Sequence, residues 1–159
     1  MRLLLALFII VLASCGQRGQ NAPETIAVDS PAMAAPDTLE YVEPGFAELL
    51  QKKKDQGVDF FALGQEPGWS LNIYTDSLMQ FSTFEGLAMN TPGVDPVIKG
   101  DTTTYSATTE SGNMTITLVK GACTDIMSGQ KFTHHVAVEV KRGKDKTSKT
   151  FNGCGTLVD

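Results

Sequence analysis

From Trp69 onward, apolar and polar positions alternate with a period of two. Trp69, Leu71 and Ile73 interleave with Ser70, Asn72 and Tyr74, as expected where successive strand residues face opposite sides of a sheet. Met114, Ile116 and Leu118 interleave with Thr115, Thr117 and Val119 in the same way. The longest such run covers residues 132–141: Phe132, His134, Val136, Val138 and Val140 are expected on one face, and Thr133, His135, Ala137, Glu139 and Lys141 on the other. Weaker patterns fill in around these three. Residues 60–63 are a short apolar run closed by Gly64, residues 78–84 form a strand mixed on both faces, and residues 87–89 are a candidate short strand. Residues 94–98 are interrupted by Pro96, which restricts them to an edge strand. In the threonine-rich segment 102–109, Tyr105 and Ala107 share a face, and residues 147–152 form the last long strand, with Leu157 and Val158 trailing. Pro67-Gly68, Asp76-Ser77, Ser111-Gly112 and Gly143 supply turn signals between these runs.

A helical period occurs once, over residues 44–56. Phe46, Leu49 and Leu50 make a stripe at i, i+3 and i+4; Pro44 suits the first turn and Gly57 the C-terminal cap. Lys52, Lys53 and Lys54 fall where cations complement the helix dipole, and read as a solvated helix end rather than a binding patch. One helix followed by seven or eight short strands predicts a mainly β fold, a small antiparallel β-barrel or sandwich spanning residues 44–159.

The chain ahead of this region has a different character. Arg2 precedes ten consecutive apolar residues, 3–12, a run too short for a bilayer, which takes about 20. Small residues Ala13 and Ser14 follow, so residues 1–14 read as a cleavable secretory signal. Leu12-Ala13-Ser14-Cys15 resembles a bacterial lipobox. That resemblance implies cleavage before Cys15 and acylation of it, giving a membrane partner through lipid; the alternative is an ordinary signal with a chance cysteine. Gly16 rather than aspartate after the cysteine implies, by the enterobacterial sorting rule, the outer membrane. Residues 15–43 are expected to be a flexible tether: Ala, Pro, Thr, Gln and Asp dominate, with Pro23, Pro31 and Pro36 spaced through them.

At 159 residues the chain suits one folded domain, and 13 Lys+Arg against 18 Asp+Glu give a net charge of −5. This balance argues against a nucleic-acid partner, which requires a basic face. It also supplies no attraction to anionic lipid, so attachment to a membrane must be covalent or apolar.

Of three cysteines, setting Cys15 aside leaves Cys123 and Cys154. In an exported chain a disulfide is the default. A loop of about 30 residues closed this way is worth roughly 3–4 kcal/mol in the chain-entropy model. A metal pair or a redox pair competes, without the support of Cys-x-x-Cys spacing.

The densest candidate chemistry lies just after Cys123. Asp125, Met127 and Ser128, with Lys131 beyond, could meet a small polar ligand or an envelope partner; equally, Asp125 and Ser128 could satisfy backbone groups of a disulfide-braced turn. Glu66 and Trp69 form a second candidate, with a turn-stabilising acid and a core anchor as the competing roles. His134 and His135 face opposite ways on a strand and cannot share a metal from it. Asp125 lacks the neighbours calcium would need, and no metal or cofactor is expected. Gly-x-Ser-x-Gly, His-Glu-x-x-His and phosphate-loop motifs do not occur. Asp125, His134 and Ser128 could be drawn as a hydrolase set, though three such residues occur by chance in most proteins.

Two segments carry a wider resemblance. Phe61-Ala62-Leu63-Gly64-Gln65-Glu66-Pro67-Gly68-Trp69-Ser70-Leu71 resembles the signature Phe-x-Ala-x-Gly-Asn-Glu-Pro-x-Trp-x-Leu. Cys123-x-Asp125-x-Met127-Ser128-Gly129, then Phe132, then Gly153-Cys154-Gly155, resembles the closing signature of the same family. The family is a group of uncharacterised bacterial envelope lipoproteins, some with a META-type domain alongside. The likeness covers about residues 59–157, with Gln65 in place of asparagine. It implies export and a β-rich domain, and no particular activity. The expectation is therefore a non-enzymatic, lipid-anchored envelope module that binds a partner or small ligand, with its two signature segments packed together at one end of the barrel. A lysozyme-inhibitor-like protein presenting Ser128-Gly129-Gln130-Lys131, and a hydrolase, are the alternatives.

Overall fold

The computed structural model describes residues 44–159; the signal segment, Cys15 and the tether lie outside the described residues. The first element is helix α1 (Pro44–Asp55). Gly57 ends it with a φ of 76°, a left-handed conformation that suits glycine at a helix C-terminus. Nine strands follow: β1 (Phe60–Gln65), β2 (Gly68–Tyr74), β3 (Leu78–Thr83), β4 (Ala88–Pro92), β5 (Val97–Lys99), β6 (Thr102–Thr109), β7 (Gly112–Thr124), β8 (Lys131–Arg142) and β9 (Lys149–Leu157).

All nine join one antiparallel sheet in the order β4-β3-β2-β1-β9-β8-β7-β6-β5. Two meanders, β1 to β4 and β5 to β9, are zipped together where β1 pairs with β9. The link between the two edge strands forces the shape. Residues 93–96 connect β4 to β5, and a chain that short spans at most about 17 Å. Edges of a flat nine-stranded sheet would stand roughly 38 Å apart. The sheet must therefore curl, and it does so as a half-barrel rather than as two packed sheets, so the sandwich alternative is not the form adopted. Both ends of the link carry a proline, Pro92 and Pro96, which suits unpaired edges.

Inside the curl, one apolar cluster draws on nearly every strand, including Ala62, Trp69, Leu71, Phe81, Met89, Met114, Ile116, Val138 and Phe151. A second, smaller cluster packs α1 against the other side of β1, through Phe46, Phe61, Phe132, Cys123 and Cys154. The helix stripe predicted from Phe46, Leu49 and Leu50 faces this second cluster, with Phe46 edge-on to Phe132 at 5.1 Å between centroids.

Several expectations are corrected by this arrangement. There are nine strands rather than seven or eight. Strand β3 alternates cleanly, with Met79, Phe81 and Thr83 buried, because the apolar Leu78 and Phe84 that blurred its pattern face outward or lie beyond it. Phe132 does not join Val136, Val138 and Val140 in the main core; it belongs to the helix cluster. The pairing of β7 with β8 slips between Lys120 and Cys123, and such a bulge re-aims side chains beyond it. Finally, β9 runs through Cys154 to Leu157, so the second cysteine sits within a strand.

Trp69 explains the glycines near both signature segments. Its indole is 2 % exposed, lies 5.8 Å from the Phe81 ring, and donates its N–H to the Asn152 carbonyl at 3.2 Å. A Cβ on Gly64 or Gly153 would run into that indole and into backbone carbonyls of neighbouring strands. These two positions must be glycine for the large ring to be seated against them.

Candidate functional site

The turn between β1 and β2 holds only Glu66 and Pro67, joined by a cis peptide bond, with Gln65 paired to Gly68. This hairpin end places Gln65 and Glu66 beside the loop that follows β7. The loop is fixed by its own polar groups. The Asp125 carboxylate accepts from the Ser128 backbone N–H at 3.0 Å and the Ser128 hydroxyl at 2.6 Å. The Gln130 backbone N–H donates to Ser128 Oγ at 3.2 Å. Backbone bonds from Asp125 to Gln130 and from Gly129 back to Asp125 complete the turn, with Gly129 at a φ of 73°. Asp125 is buried, and Gln65 Nε2 approaches its carboxylate at 3.5 Å, at the outer limit of a hydrogen bond. Asp125 and Ser128 are thus committed to holding the loop, the turn-bracing role weighed from the sequence.

What the loop presents is apolar. Ile126 is 96 % exposed and Met127 71 % exposed at its tip. Beneath the tip opens a pocket of about 520 Å³. Gln65 and Glu66 form one wall, residues 123–127 another, and His135 with Asn152 a third. Its floor is the Cys123–Cys154 disulfide, with Cα atoms 5.7 Å apart, together with Gly64 and Gly153. The two signature segments therefore meet at a single cavity. Trp69 lies directly under Gly64 and Gly153, and closes the floor from inside the core.

The remaining candidate residues fall elsewhere. Trp69 is a core residue and offers no surface to a ligand. Lys131 is exposed but lines a separate depression against α1, with Phe46 and Leu50. Ser128 is exposed beside the pocket and does not line it. Glu66, Asp125 and Met127 do line it. Asn152 and Gly64 are not among the candidate site residues of the sequence, and His135 is considered only beside His134 as a metal ligand. They come from the middles of strands, where only three-dimensional register shows which positions share a cavity.

His134 packs edge-on against Phe60, 5.3 Å between centroids, and its Nδ1 shares a 2.8 Å hydrogen bond with the Thr133 hydroxyl. Burial, and then the charge of Lys120, hold its pKa below the usual histidine value. Neither Asp125 nor Ser128 is bonded to it, so the Asp-His-Ser set is not assembled. Among the described residues, no group of three or more His, Cys, Asp or Glu side chains is placed to hold a metal ion, and no helix is long and apolar enough to cross a membrane.

Comparison of the chain with protein-family models, with curated proteins and with solved structures finds no match in any of the three.

Proposed function

We propose that this chain is a lipid-anchored bacterial envelope protein whose domain is a non-enzymatic binding module, and that the pocket above the disulfide receives an apolar group of its ligand. One observation carries the binding reading: adjacent Ile126 and Met127 are held out in solvent, at the rim of an open cavity, by a loop braced through the bonds of Asp125 and Ser128. Singly exposed apolar residues are ordinary on protein surfaces. Two neighbours on a braced tip beside a cavity form a contact surface, and methionine suits such a surface because its flexible, polarizable side chain adapts to different shapes.

The same geometry weighs against the two alternatives. Gln130 is 4 % exposed and Ser128 is engaged with Asp125, so residues 128–131 do not form a free loop for insertion into an enzyme cleft. The hydrolase set would need His134 linked to Ser128 as its base; the hydroxyl of Ser128 is bonded to Asp125 and the ring of His134 to Thr133 instead.

The mature chain with Cys15→Ala, made without its signal segment and so without acyl chains, is expected to bind N-phenyl-1-naphthylamine, a neutral apolar fluorophore, at a single site. Met127→Asp is expected to weaken that binding at least tenfold while leaving the melting temperature within a few degrees of the parent, because Met127 contributes little buried area. Equal binding by the variant, or none by the parent, would discard the pocket reading.

The anchor rests on the resemblance of residues 12–15 to a lipobox and on the stability of multiple acyl chains in a bilayer, about 0.8 kcal/mol per buried methylene. Cells expressing the chain should incorporate a fatty-acid analogue into it, and Cys15→Ala should abolish the label. Equal labelling of the two proteins would refute the anchor.

A further inference from the structure

The exposed apolar surface extends beyond the loop tip. Phe84, 89 % exposed, donates its backbone N–H to the Gly68 carbonyl at 2.9 Å, and its ring lies over Gly68 where a Cβ would otherwise stand. Gly68 pairs with Gln65, and Gln65 reaches Asp125 at the base of the Ile126-Met127 tip. Phe84 and the pocket wall therefore lie on one face of the sheet, separated by two strand spacings, about 10 Å. Acidic residues flank both ends: Glu66 lines the pocket, and Glu85 follows Phe84. No lysine or arginine lines the pocket; Lys149 shares the adjoining depression with Glu85. Most other cations of the domain stand apart in sequence, at the end of α1 and around the turn from β8 to β9.

We propose that this strip docks a basic amphipathic peptide segment of another exported protein, an inference that rests on the binding-module reading above. The spacing fits a helix laid across it. Residues seven apart rise by about 10.5 Å, so one apolar side chain can cover Phe84 while another enters the pocket over the disulfide. Lysines or arginines beside that stripe then face Glu66 and Glu85. Apolar anchors with charges at the rim are how amphipathic helices are held in grooves. A bilayer is the less favoured occupant, because Glu66 and Glu85 border the apolar residues and the chain carries a net charge of −5, both unfavourable next to anionic headgroups.

The test uses the mature chain with Cys15→Ala, made without its signal segment and so without acyl chains, together with a designed 14-residue peptide of leucine and lysine, its leucine–glutamate counterpart, and vesicles of phosphatidylcholine and phosphatidylglycerol. The lysine peptide is expected to bind one to one, at least tenfold more tightly than the glutamate peptide, and to weaken as salt rises. Glu66→Gln with Glu85→Gln should reduce its affinity about tenfold, and Glu85→Gln alone, outside the pocket, should leave N-phenyl-1-naphthylamine binding unchanged. Phe84→Ser should weaken the peptide without lowering the melting temperature. Equal affinity for the two peptides, insensitivity to the glutamine pair, or vesicle binding through Phe84 and Ile126 in place of peptide binding would overturn the inference. Retained fluorophore binding would then leave the pocket reading standing, and its loss in the parent would remove both.

Discussion

Trp69→Ala is expected to destabilise the domain by about 3–5 kcal/mol, the usual cost of truncating a large buried aromatic. The ring is 2 % exposed, packs on Phe81, and is backed by two glycines whose missing side chains define its seat. Truncation would open a cavity that Gly64 and Gly153 cannot fill, since neither has a side chain to move. It would also strand the Asn152 carbonyl that now accepts the indole N–H. Domains of this size are stable by about 5–15 kcal/mol, so the variant should lose a large part of its margin and melt roughly 10–20 °C lower. Trp69→Phe keeps much of the apolar volume and loses the hydrogen bond, so it should fall between the two. Thermal unfolding followed by circular dichroism reads all three. An alanine variant melting within a few degrees of the parent would mean that the indole is not the centrepiece of the core.

The second large effect concerns the floor of the pocket. Cys123 and Cys154 are 31 residues apart in sequence and form the bridge expected from counting cysteines. Converting both to serine should cost roughly 3–4 kcal/mol, because the bridge limits the freedom of the unfolded chain in proportion to the logarithm of that loop. The control is internal. Reductant should lower the melting temperature of the parent towards that of the double variant and should not shift the variant at all. Both cysteines also pack with Phe46, Phe61 and Phe132 under α1, so the variant should expose the helix cluster first, seen as faster amide exchange in α1 than in β2. A parent indifferent to reductant, with its bridge shown to be reduced, would refute the stabilising role.

The legibility of this fold in its sequence follows burial. Where one strand face is dry and the other wet, alternation is unmistakable: Trp69, Leu71 and Ile73 are all at or below 2 % exposure, and their partition was plain. Legibility fails where the volume inside the curl is filled from a neighbouring strand. Gly153 and Gly155 occupy positions where an added side chain would meet the rings of Trp69 and Phe60, so β9 looked as though it ended at residue 152. It failed again at Phe132, which keeps the buried alternation of β8 but packs against Phe46 of α1 instead of entering the main core.

The site divides the same way. Its two turns carry unusual local composition, and each was visible alone. Lys131 was grouped with Asp125 only because it is close in sequence, and the strand it starts carries it to the α1 side. His135 and Asn152 reach the pocket from β8 and β9, paired with Val119 and Ala137 respectively, and alternation within each strand does not show that the two share a cavity. Asp125 reads from the sequence as a ligand-facing acid or as a turn brace; its bonds to Ser128 brace the turn, and it also lines the pocket. The exposed Ile126 beside it, not considered as a contact residue, is the most solvent-exposed large hydrophobic residue of the described chain.

The most direct test of the pocket reading is an amide nitrogen–proton correlation spectrum of the mature chain with Cys15→Ala, and so without acyl chains, titrated with N-phenyl-1-naphthylamine. Saturable shifts are expected, confined to residues 64–66, 123–127, 135 and 152–154, with the Trp69 indole signal moving because the ring lies just beneath the floor. Shifts centred instead on the α1 depression around Phe46 and Lys131, or on the exposed edge at Val97 and Ile98, would contradict it.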